Sequence, residues 1–296
     1  MSRSDSGYGE RVDFAFDRAR HDRQGNRRHD DTWKDDPGLR VLVVGGEHVP
    51  TVDGPALRWI TRDEAPEGTW MLLGESGGVT HAAVVVDRVA EDLAPTSVRV
   101  LAPLLGPDEL SLAIHAIAMA RWLRSHRFCA RCGTELEVAE SGHLLTCREC
   151  GAHHFPRTDP AVIMLITDES DRALLARNAA WPEGRYSTLA GFVEPGEALE
   201  DAVRREVREE VGLPVGDVSY AGSQPWPFPS SLMLGFFGRA TASEISVDED
   251  EIAHARWFTR DELTAAVGGE EIVLPPPHVS ISRWLIESWL SGPASP

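Results

Sequence analysis

Lysine is nearly absent from this chain of 296 residues: Lys34 is the only one, so arginine supplies almost all of the 29 basic side chains. Acidic residues outnumber basic ones, because 47 Asp and Glu give a formal net charge of −18. A chain this acidic is a poor candidate for a protein that grips nucleic-acid backbones without regard to sequence. An anionic ligand would need a local cationic device, such as a bound metal or a few well-placed arginines.

Long apolar runs are missing as well. Ala82–Val86 and Ala161–Ile166 are typical of the clean runs, and both are far shorter than the roughly 20 residues that a membrane-spanning helix needs. The first residues mix charges and show no apolar core of a secretory signal. We therefore expect a soluble, cytoplasmic protein without a membrane partner and without a sequence-specific DNA partner. With 42% hydrophobic and 26% charged residues, the composition excludes fibrous and wholly disordered chains.

Changes of pattern along the chain predict four regions. The first is polar, and we expect at least its first ten residues to be flexible. The second predicts a small α+β domain of unassigned function, the third holds every cysteine, and the fourth predicts a larger α/β domain. The regions are, in order, residues 1–36, 37–126, 127–156 and 157–296.

Hydrophobic periodicity places the main elements within these regions. The predicted strands are 41–44, 70–73, 79–86, 161–166, 173–176 and 232–240, and the predicted helices are 107–126, 198–211, a helix that begins within 255–263, and 281–290.

The cysteines occur as two CxxC pairs separated by fourteen residues: Cys129, Cys132, Cys147 and Cys150. Each pair brings two thiolates to one side of a tight turn, and Gly133 and Gly151 follow the pairs where that turn needs a permissive backbone. Two such turns complete a tetrahedral shell with Zn–S bonds of ~2.3 Å. Because four thiolates close the shell, the spacing predicts one structural zinc per chain rather than redox thiols or iron.

A zinc ribbon could also bind nucleic acid. Six arginines surround the cysteines, but five acidic residues nearly cancel their charge within residues 121–160. A structural role for the metal is therefore favoured. His153 and His154 lie nearby, and with the shell full we expect surface or hydrogen-bonding roles for them.

The predicted helix Ala198–Val211, which ends before Gly212, carries the most informative pattern. Glu206 and Glu210 are spaced i, i+4, so both carboxylates emerge on one face, and Glu209 borders that face. A separate apolar stripe lies about 80° further round the helix. The stripe consists of Val203, Val207 and Val211.

This acidic face could be an ordinary solvated one, because the neighbouring arginines could pair with its carboxylates. The glycines at Gly191 and Gly196, placed just before the helix, argue against that alternative. Oxygen ligands converging from a helix and a loop suit Mg²⁺ or Mn²⁺, which commonly join a phosphate to a few carboxylates.

The segment from Gly191 to Leu213 resembles the Nudix box, G-x5-E-x7-R-E-U-x-E-E-x-G-U with U aliphatic, at every defined position. The matching residues are Gly191, Glu197, Arg205, Glu206, Val207, Glu209, Glu210, Gly212 and Leu213. The resemblance implies a Nudix hydrolase, whose α/β/α sandwich would here be preceded by the zinc ribbon and the small N-terminal domain. It also implies cleavage of a nucleoside diphosphate linked to another moiety, with help from divalent metal.

Ten residues past the box, the segment 223–231 reads SQPWPFPSS. Its three alternating prolines remove three amide donors and hold it extended, so it cannot be a central strand. Trp226 and Phe228 would then be presented from a stiff backbone, although a packed surface loop is the alternative. The segment resembles the SQPWPFPxS motif of the NADH pyrophosphatase branch of the family, of which the four-cysteine module is a second mark.

That branch implies hydrolysis of NAD(H) to AMP and nicotinamide mononucleotide, and removal of NAD caps from RNA 5′ ends. Two alternatives remain: a Nudix hydrolase of another dinucleotide, such as ADP-ribose or a diadenosine polyphosphate, and a non-catalytic zinc-ribbon module that binds nucleotides or RNA. The resemblance further implies a homodimer. The sequence leaves open the preference among NADH, NAD⁺ and capped RNA.

The resemblance also implies roles for single residues. Two or three Mg²⁺ or Mn²⁺ ions would be held by Glu206, Glu210, Glu251 and the carbonyl of Ala190. The general base stays open among Glu206, Glu209, Glu210 and Glu251, while Glu197 would order the turn and Arg205 would orient its neighbours. The implied substrate contacts are Phe155, Phe192, Gln224, Pro225, Trp226, Pro227, Phe228, Pro229, Ser230, Ser231 and Ser282. Phe155 departs from the tyrosine of the relatives: it can stack on adenine and has no phenol to donate.

Overall fold

The structure is a computed structural model that describes residues 21–52, 55–266 and 272–292. No helix within these ranges is long and apolar enough to cross a membrane. The ten N-terminal residues for which the sequence predicts flexibility lie outside the described residues.

Two compact units make up the chain. Of the described residues, the N-terminal unit comprises 21–52, 55–158 and 225–231, and the C-terminal unit comprises 159–224, 232–266 and 272–292. The cysteine region shares its unit with the small α+β region that precedes it, so the four-region division of the sequence stays a prediction.

A three-stranded sheet forms the centre of the N-terminal unit, with its strands in the order β1 (Arg40–Val44), β4 (Val79–Val85), β3 (Thr69–Ser76). Its outer strand β1 runs parallel to β4, while β3 and β4 form the predicted hairpin. A long helix, α2, begins with Pro107 at its first position and acidic residues in its first turn, which suits a helix N-terminus. The elements are β1 (Arg40–Val44), β2 (His48–Pro50), β3 (Thr69–Ser76), β4 (Val79–Val85), β5 (Pro95–Ser97), α1 (Val98–Leu101) and α2 (Pro107–Ser125).

The described part of the polar lead-in, residues 21–36, docks on this sheet. Trp33 is fully buried in a cluster with Leu72 and Val84. The backbones of Asp22 and Glu75 exchange two hydrogen bonds of 2.9 and 2.7 Å. One aromatic anchor and one short bridge thus order a segment whose composition is polar.

The cysteine region adds a small antiparallel sheet in the order β6-β7-β8. Its strands are β6 (Glu137–Ala139), β7 (Leu144–Thr146) and β8 (His153–His154).

The C-terminal unit is built on a six-stranded sheet. Five strands follow the order β12 (Val215–Trp226), β13 (Ser231–Ala240), β9 (Asp159–Thr167), β10 (Ala173–Asn178), β14 (Ile252–Phe258). The sixth strand, β11 (Leu189–Phe192), pairs with β9. The proline-containing segment begins on β12, an edge strand, which agrees with its exclusion from the middle of a sheet. The elements are β9 (Asp159–Thr167), β10 (Ala173–Asn178), β11 (Leu189–Phe192), α3 (Leu199–Val211), β12 (Val215–Trp226), β13 (Ser231–Ala240), β14 (Ile252–Phe258), α4 (Arg260–Ala266) and α5 (Ile281–Ser291).

Strand β9 shows how this sheet is covered on both faces. Val162 and Met164 pack in the cluster that includes the buried stripe of α3. Ile163 and Leu165 point to the opposite face and pack in the cluster with Leu285 of α5. Every residue from 161 to 167 is therefore buried, and the α/β/α sandwich expected from the sequence is confirmed.

Candidate active site

The four cysteines converge as their spacing predicts. Their Sγ atoms all lie within 4.8 Å of one another, with Cys129 and Cys150 at 3.6 Å and Cys132 and Cys147 at 3.4 Å. Zn–S bonds of ~2.3 Å require sulfur atoms about 3.8 Å apart in a tetrahedron, so the geometry fits zinc.

The two cysteine turns are built alike, as a tetrahedral site with equivalent halves requires. Gly133 donates to the carbonyl of Cys129 at 2.8 Å, and Gly151 donates to that of Cys147 at 2.9 Å. Both glycines have positive φ, at 79° and 67°, where a side chain would strain the turn. His154 lies 3.4 Å from the Cys129 sulfur through Nε2, which confirms a hydrogen-bonding position for this histidine.

Helix α3 carries the acidic cluster. Its valine stripe is fully buried against the sheet, and the helix ends at Gly212 in the left-handed conformation. Burial of the stripe fixes the rotation of the helix, and with it the direction of Glu206 and Glu210. The burial of the valine stripe thus agrees with the amphipathic period of the sequence.

Strand β11 provides the surface against which Glu206 lies. A Cβ atom added to Gly191 would stand 1.9 Å from the Cδ atom of Glu206 and 2.1 Å from both carboxylate oxygens. Only glycine leaves room for this carboxylate, so the glycine at the start of the motif serves a steric purpose. The expectation of a turn at Gly191 is wrong, because this residue lies within strand β11 and has no positive φ. Ala190, whose carbonyl is an expected metal ligand, is the preceding residue of the same strand.

Arg205 holds three carboxylates and one carbonyl. It donates to both oxygens of Glu197 at 2.8 and 2.9 Å, to Glu206 at 2.8 Å and to Glu209 at 3.1 Å. It also donates to the carbonyl of Phe192 at 2.8 Å. Hydrogen bonds to Glu197 are the largest of the influences that raise the pKa of the guanidinium, so it stays charged. These contacts fit the orienting role that the sequence suggests for Arg205.

Glu197 also fits its expected role in ordering the turn before the helix. Its carboxylate accepts from the amide of Glu194 at 3.0 Å in addition to the two bonds from Arg205. These hydrogen bonds hold the pKa of Glu197 below its ordinary value, so it is a carboxylate at neutral pH.

Glu210 has the least favourable environment for a charged carboxylate in the cluster. Its side chain is only 7% exposed, and its Oε2 atom has no hydrogen-bond partner among the described residues. Burial, followed by the charges of Glu206, Glu251 and Glu209, raises its pKa to about 8. Burial also raises the pKa of Glu206, against the opposing effect of Arg205.

These carboxylates fit a divalent cation. A cation would supply the missing partner of Glu210 and offset the mutual repulsion of the cluster. Within the described part of the chain, the cysteines are the only group of three or more metal-binding side chains whose donor atoms all lie within 4.8 Å of one another. The carboxylates are more widely spaced, which suits Mg²⁺ or Mn²⁺ because such ions keep several waters and bind substrate phosphates.

The expected substrate residues of the C-terminal unit fall into two groups. Phe192 ends β11 with 59% of its surface exposed, so its face is open for stacking. Gln224 is buried, donates to the carbonyl of Val279 at 2.6 Å and accepts from the amide of Ile281 at 3.0 Å, which fixes the start of α5. Ser282 is buried too, with its hydroxyl 2.8 Å from that of Ser187. Internal bonds thus occupy the polar groups of Gln224 and Ser282.

In the N-terminal unit, the two aromatic rings of the proline segment pack edge to face, with centroids 5.1 Å apart. Phe228 is buried and Trp226 half-buried, so the expectation that both rings are presented is wrong for Phe228. The guanidinium of Arg99 lies 4.0 Å from the centroid of Phe228. The sequence gives no signal for this contact, because the two residues lie far apart in the chain. Phe155, in the same unit, is 68% exposed.

Comparison with known proteins gives two family matches. The NUDIX domain family matches residues 157–284, and the NADH pyrophosphatase zinc ribbon domain matches residues 124–155. Together they cover the site helix, the sheet that carries it and all four cysteines.

Among curated relatives, the NAD-capped RNA hydrolase NudC of Mycobacterium bovis is 46% identical over 264 residues, which cover 84% of this chain and 82% of the relative. The protein of the same name from Pseudomonas aeruginosa is 44% identical over 192 residues, or 64% of this chain and 66% of the relative. A solved NUDIX hydrolase from Nitrosomonas europaea matches 50% of this chain and 97% of its own, with 20% identity and a TM-score of 0.38.

Proposed function

We propose that this chain, which belongs to the Nudix hydrolase family and to its branch with an NADH pyrophosphatase zinc ribbon, hydrolyses the diphosphate of NAD(H) to AMP and nicotinamide mononucleotide. We extend the proposal to removal of NAD caps from RNA, because the same diphosphate is cut and the relatives carry that name. The observation that carries the proposal is the buried Glu210 with an unpartnered oxygen among like charges.

In this proposal, Glu206, Glu210, Glu251 and the carbonyl of Ala190 hold two or three Mg²⁺ or Mn²⁺ ions. Bound divalent cations neutralise the charge on the diphosphate and lower the pKa of a coordinated water. Arg205 keeps the Glu206 carboxylate turned toward β11 through a hydrogen bond of 2.8 Å. Bound cations and Arg205 thus together allow an acidic protein to bind an anionic substrate.

Four glutamates stay candidates for the base that takes the proton of the attacking water. Glu209 is tied to Arg205, Glu210 and Glu206 are partly or largely buried, and Glu251 is exposed. Single Glu→Gln variants distinguish them, because loss of the base lowers kcat while metal affinity persists, whereas loss of a ligand weakens metal binding.

The experiment that tests the function is product analysis of NADH incubated with purified protein and Mn²⁺ or Mg²⁺. We expect AMP and reduced nicotinamide mononucleotide, with activity abolished by Glu210→Gln. Glu200→Gln is the matched control, because Glu200 is an exposed carboxylate in the first turn of the same helix. A second control adds a chelator to remove the divalent metal, which should stop the reaction. Zinc content is measured throughout, because a chelator that also removed the structural zinc could inactivate the protein by unfolding it.

A folded, zinc-loaded protein that released no AMP would refute the assignment to NADH. ADP-ribose and diadenosine polyphosphates are the next substrates to compare, by kcat/KM. If NADH is cleaved, NAD-capped RNA is assayed under the same conditions, and the two kcat/KM values decide which substrate the enzyme prefers.

We also propose that the enzyme is a homodimer in which Phe155 stacks on the adenine of the partner's substrate. The large exposed fraction of this ring supports the proposal, since its face is open for stacking on a base. Sedimentation analysis tests the dimer, and Phe155→Ala is expected to raise KM without changing the zinc content.

A further inference from the structure

The proline segment connects β12 to the neighbouring β13, and the turn between Trp226 and Ser231 has few amide donors with which to hold its shape. Three of its five central residues are prolines and lack an amide donor: Pro225, Pro227 and Pro229. The amide of Phe228 is spent locally, on the carbonyl of Trp226 at 2.7 Å. The paired strands hold the two ends of the segment, and side-chain packing is left to orient the two rings.

Arg99 supplies that packing from the second position of helix α1. Its guanidinium lies 4.0 Å from the centroid of Phe228 and 5.5 Å from that of Trp226. Arg121 of α2 stands further away, at 5.9 Å from Phe228. All four residues belong to the N-terminal unit. A planar guanidinium over a ring face attracts it electrostatically, and one arginine here reaches both rings.

Glu47 fixes the arginines in turn. One of its oxygens lies 3.4 Å from Arg99 Nε and 3.5 Å from Arg121 Nη1, and the other accepts from the hydroxyl of Ser97 at 3.2 Å. The backbone amide of Arg99 also contacts the hydroxyl of Ser97, at 3.3 Å. Arg99 is thus held at its backbone and its head group while its guanidinium covers the rings.

We infer that Arg99 is a positioning residue, which packs on the buried ring of Phe228 and thereby holds the proline segment, with the half-buried Trp226, in the conformation that binds the dinucleotide. The inference rests on the proposed function. The inference assigns the N-terminal α+β region a role in substrate binding. Neither the family motifs nor the carboxylate cluster indicates such a role for this region.

The test compares Arg99→Gln with Arg99→Lys in steady-state kinetics on NADH. Glutamine keeps a donor for Glu47 and loses the cation, so we expect KM to rise about three- to fivefold, with kcat within about twofold of wild type. Lysine keeps the cation and should recover a large part of the increase. Arg62→Gln is the matched control: Arg62 is a half-exposed arginine of the same unit, paired with Asp35.

A double-mutant cycle with Phe228→Leu checks that the effect passes through the ring. Because leucine removes the aromatic face, Arg99→Gln should add little to the KM of Phe228→Leu, whereas multiplying effects would overturn the inference. Equal KM values for Arg99→Gln and Arg62→Gln, or a fall in kcat alone, would overturn it as well. If Arg99→Gln does not fold, the cycle is run with Arg99→Met, which keeps the apolar stem and likewise loses the cation. A wild-type protein without NADH turnover would instead refute the proposed function itself.

Discussion

Replacing Gly191 by alanine tests the steric argument for the carboxylate site most directly. The added Cβ would lie 1.9 Å from the Cδ atom of Glu206, whereas real Cβ contacts stay beyond 3.0 Å. Glu206 must therefore withdraw by at least about 1.1 Å, and a misplacement of about 1 Å can cost roughly 100-fold in rate. We expect kcat/KM for NADH to fall about 100-fold, which corresponds to ~2.7 kcal/mol of transition-state stabilisation.

The fold should tolerate this change. Gly191 does not need a positive φ, and the atoms that must move are the end of a flexible side chain. Arg205 keeps its bonds to Glu197 and Glu209 when Glu206 withdraws. We expect the midpoint of thermal unfolding to change by no more than about 3 °C.

The assay measures NADH hydrolysis over a range of Mn²⁺ concentrations, with zinc content and thermal unfolding as checks. Gly292→Ala is the control, because a Cβ at Gly292 meets nothing within 4 Å. The variant Gly191→Ala/Glu206→Gln should be no worse than Glu206→Gln alone, since both changes disable the same carboxylate. Wild-type activity in Gly191→Ala, or losses that multiply in the double variant, would show that the reasoning is wrong.

Three further outcomes follow from burial and charge. Without divalent metal, Glu210→Gln should be more stable than wild type by roughly 4 kcal/mol at pH 8 and about equal to it near pH 4.5. The reason is that the raised pKa of about 8 makes the wild type lose stability as pH rises between these values. Chemical denaturation at the two pH values checks this, and a less stable variant at pH 8 would contradict it. Burial lowers the pKa of His143 to about 4, so the stability that its neutral form confers is present above pH 6.5 and lost as pH falls toward 4. The difference in thermal midpoint between wild type and His143→Gln should therefore shrink or reverse on acidification. A difference that does not vary with pH would contradict this prediction. Cys147→Ser should lower the zinc content from one ion per chain to near zero and destabilise the zinc ribbon. Metal analysis and thermal unfolding measure the two effects, and full zinc retention would disprove the four-thiolate shell.

The parts of the fold that the sequence predicts well are those with local signals. The stripe of α3 repeats every four residues and is buried as expected. The run 161–166 is long and apolar because β9 is covered on both faces, so no alternation remains to obscure it. The cysteine spacing sets the geometry of two turns directly, which is why the sulfur cluster follows from sequence alone.

The parts that sequence reasoning missed depend on contacts between distant positions. Trp33 lies in a polar stretch, yet it anchors that stretch in the N-terminal core. Phe228 is buried under Arg99, 129 positions earlier in the chain. Gln224 follows the family motif, but its bonds to Val279 and Ile281 are decided by where α5 begins. A single sequence holds no signal for such pairs, since neither periodicity nor spacing links them.

The carboxylate site is assembled from groups that repel one another, and the surrounding packing must outweigh that repulsion. At an effective dielectric of 20, two carboxylates repel by ~4 kcal/mol at a separation of 4 Å and by less at the wider spacing of this cluster, and burial of Glu210 adds to this cost. The three valines of α3 are fully buried, and burial of each such side chain contributes about 1.5 kcal/mol or more. The apolar face of α3 is therefore large enough to hold its acidic face in place before any cation binds. Arg205 reduces the repulsion without removing it, because it reaches Glu206 and Glu209 but makes no hydrogen bond with Glu210. Under the proposed function, a divalent metal relieves the unfavourable environment that remains at Glu210, so a substitution that removes the repulsion is expected to stabilise the protein and to abolish the proposed hydrolysis.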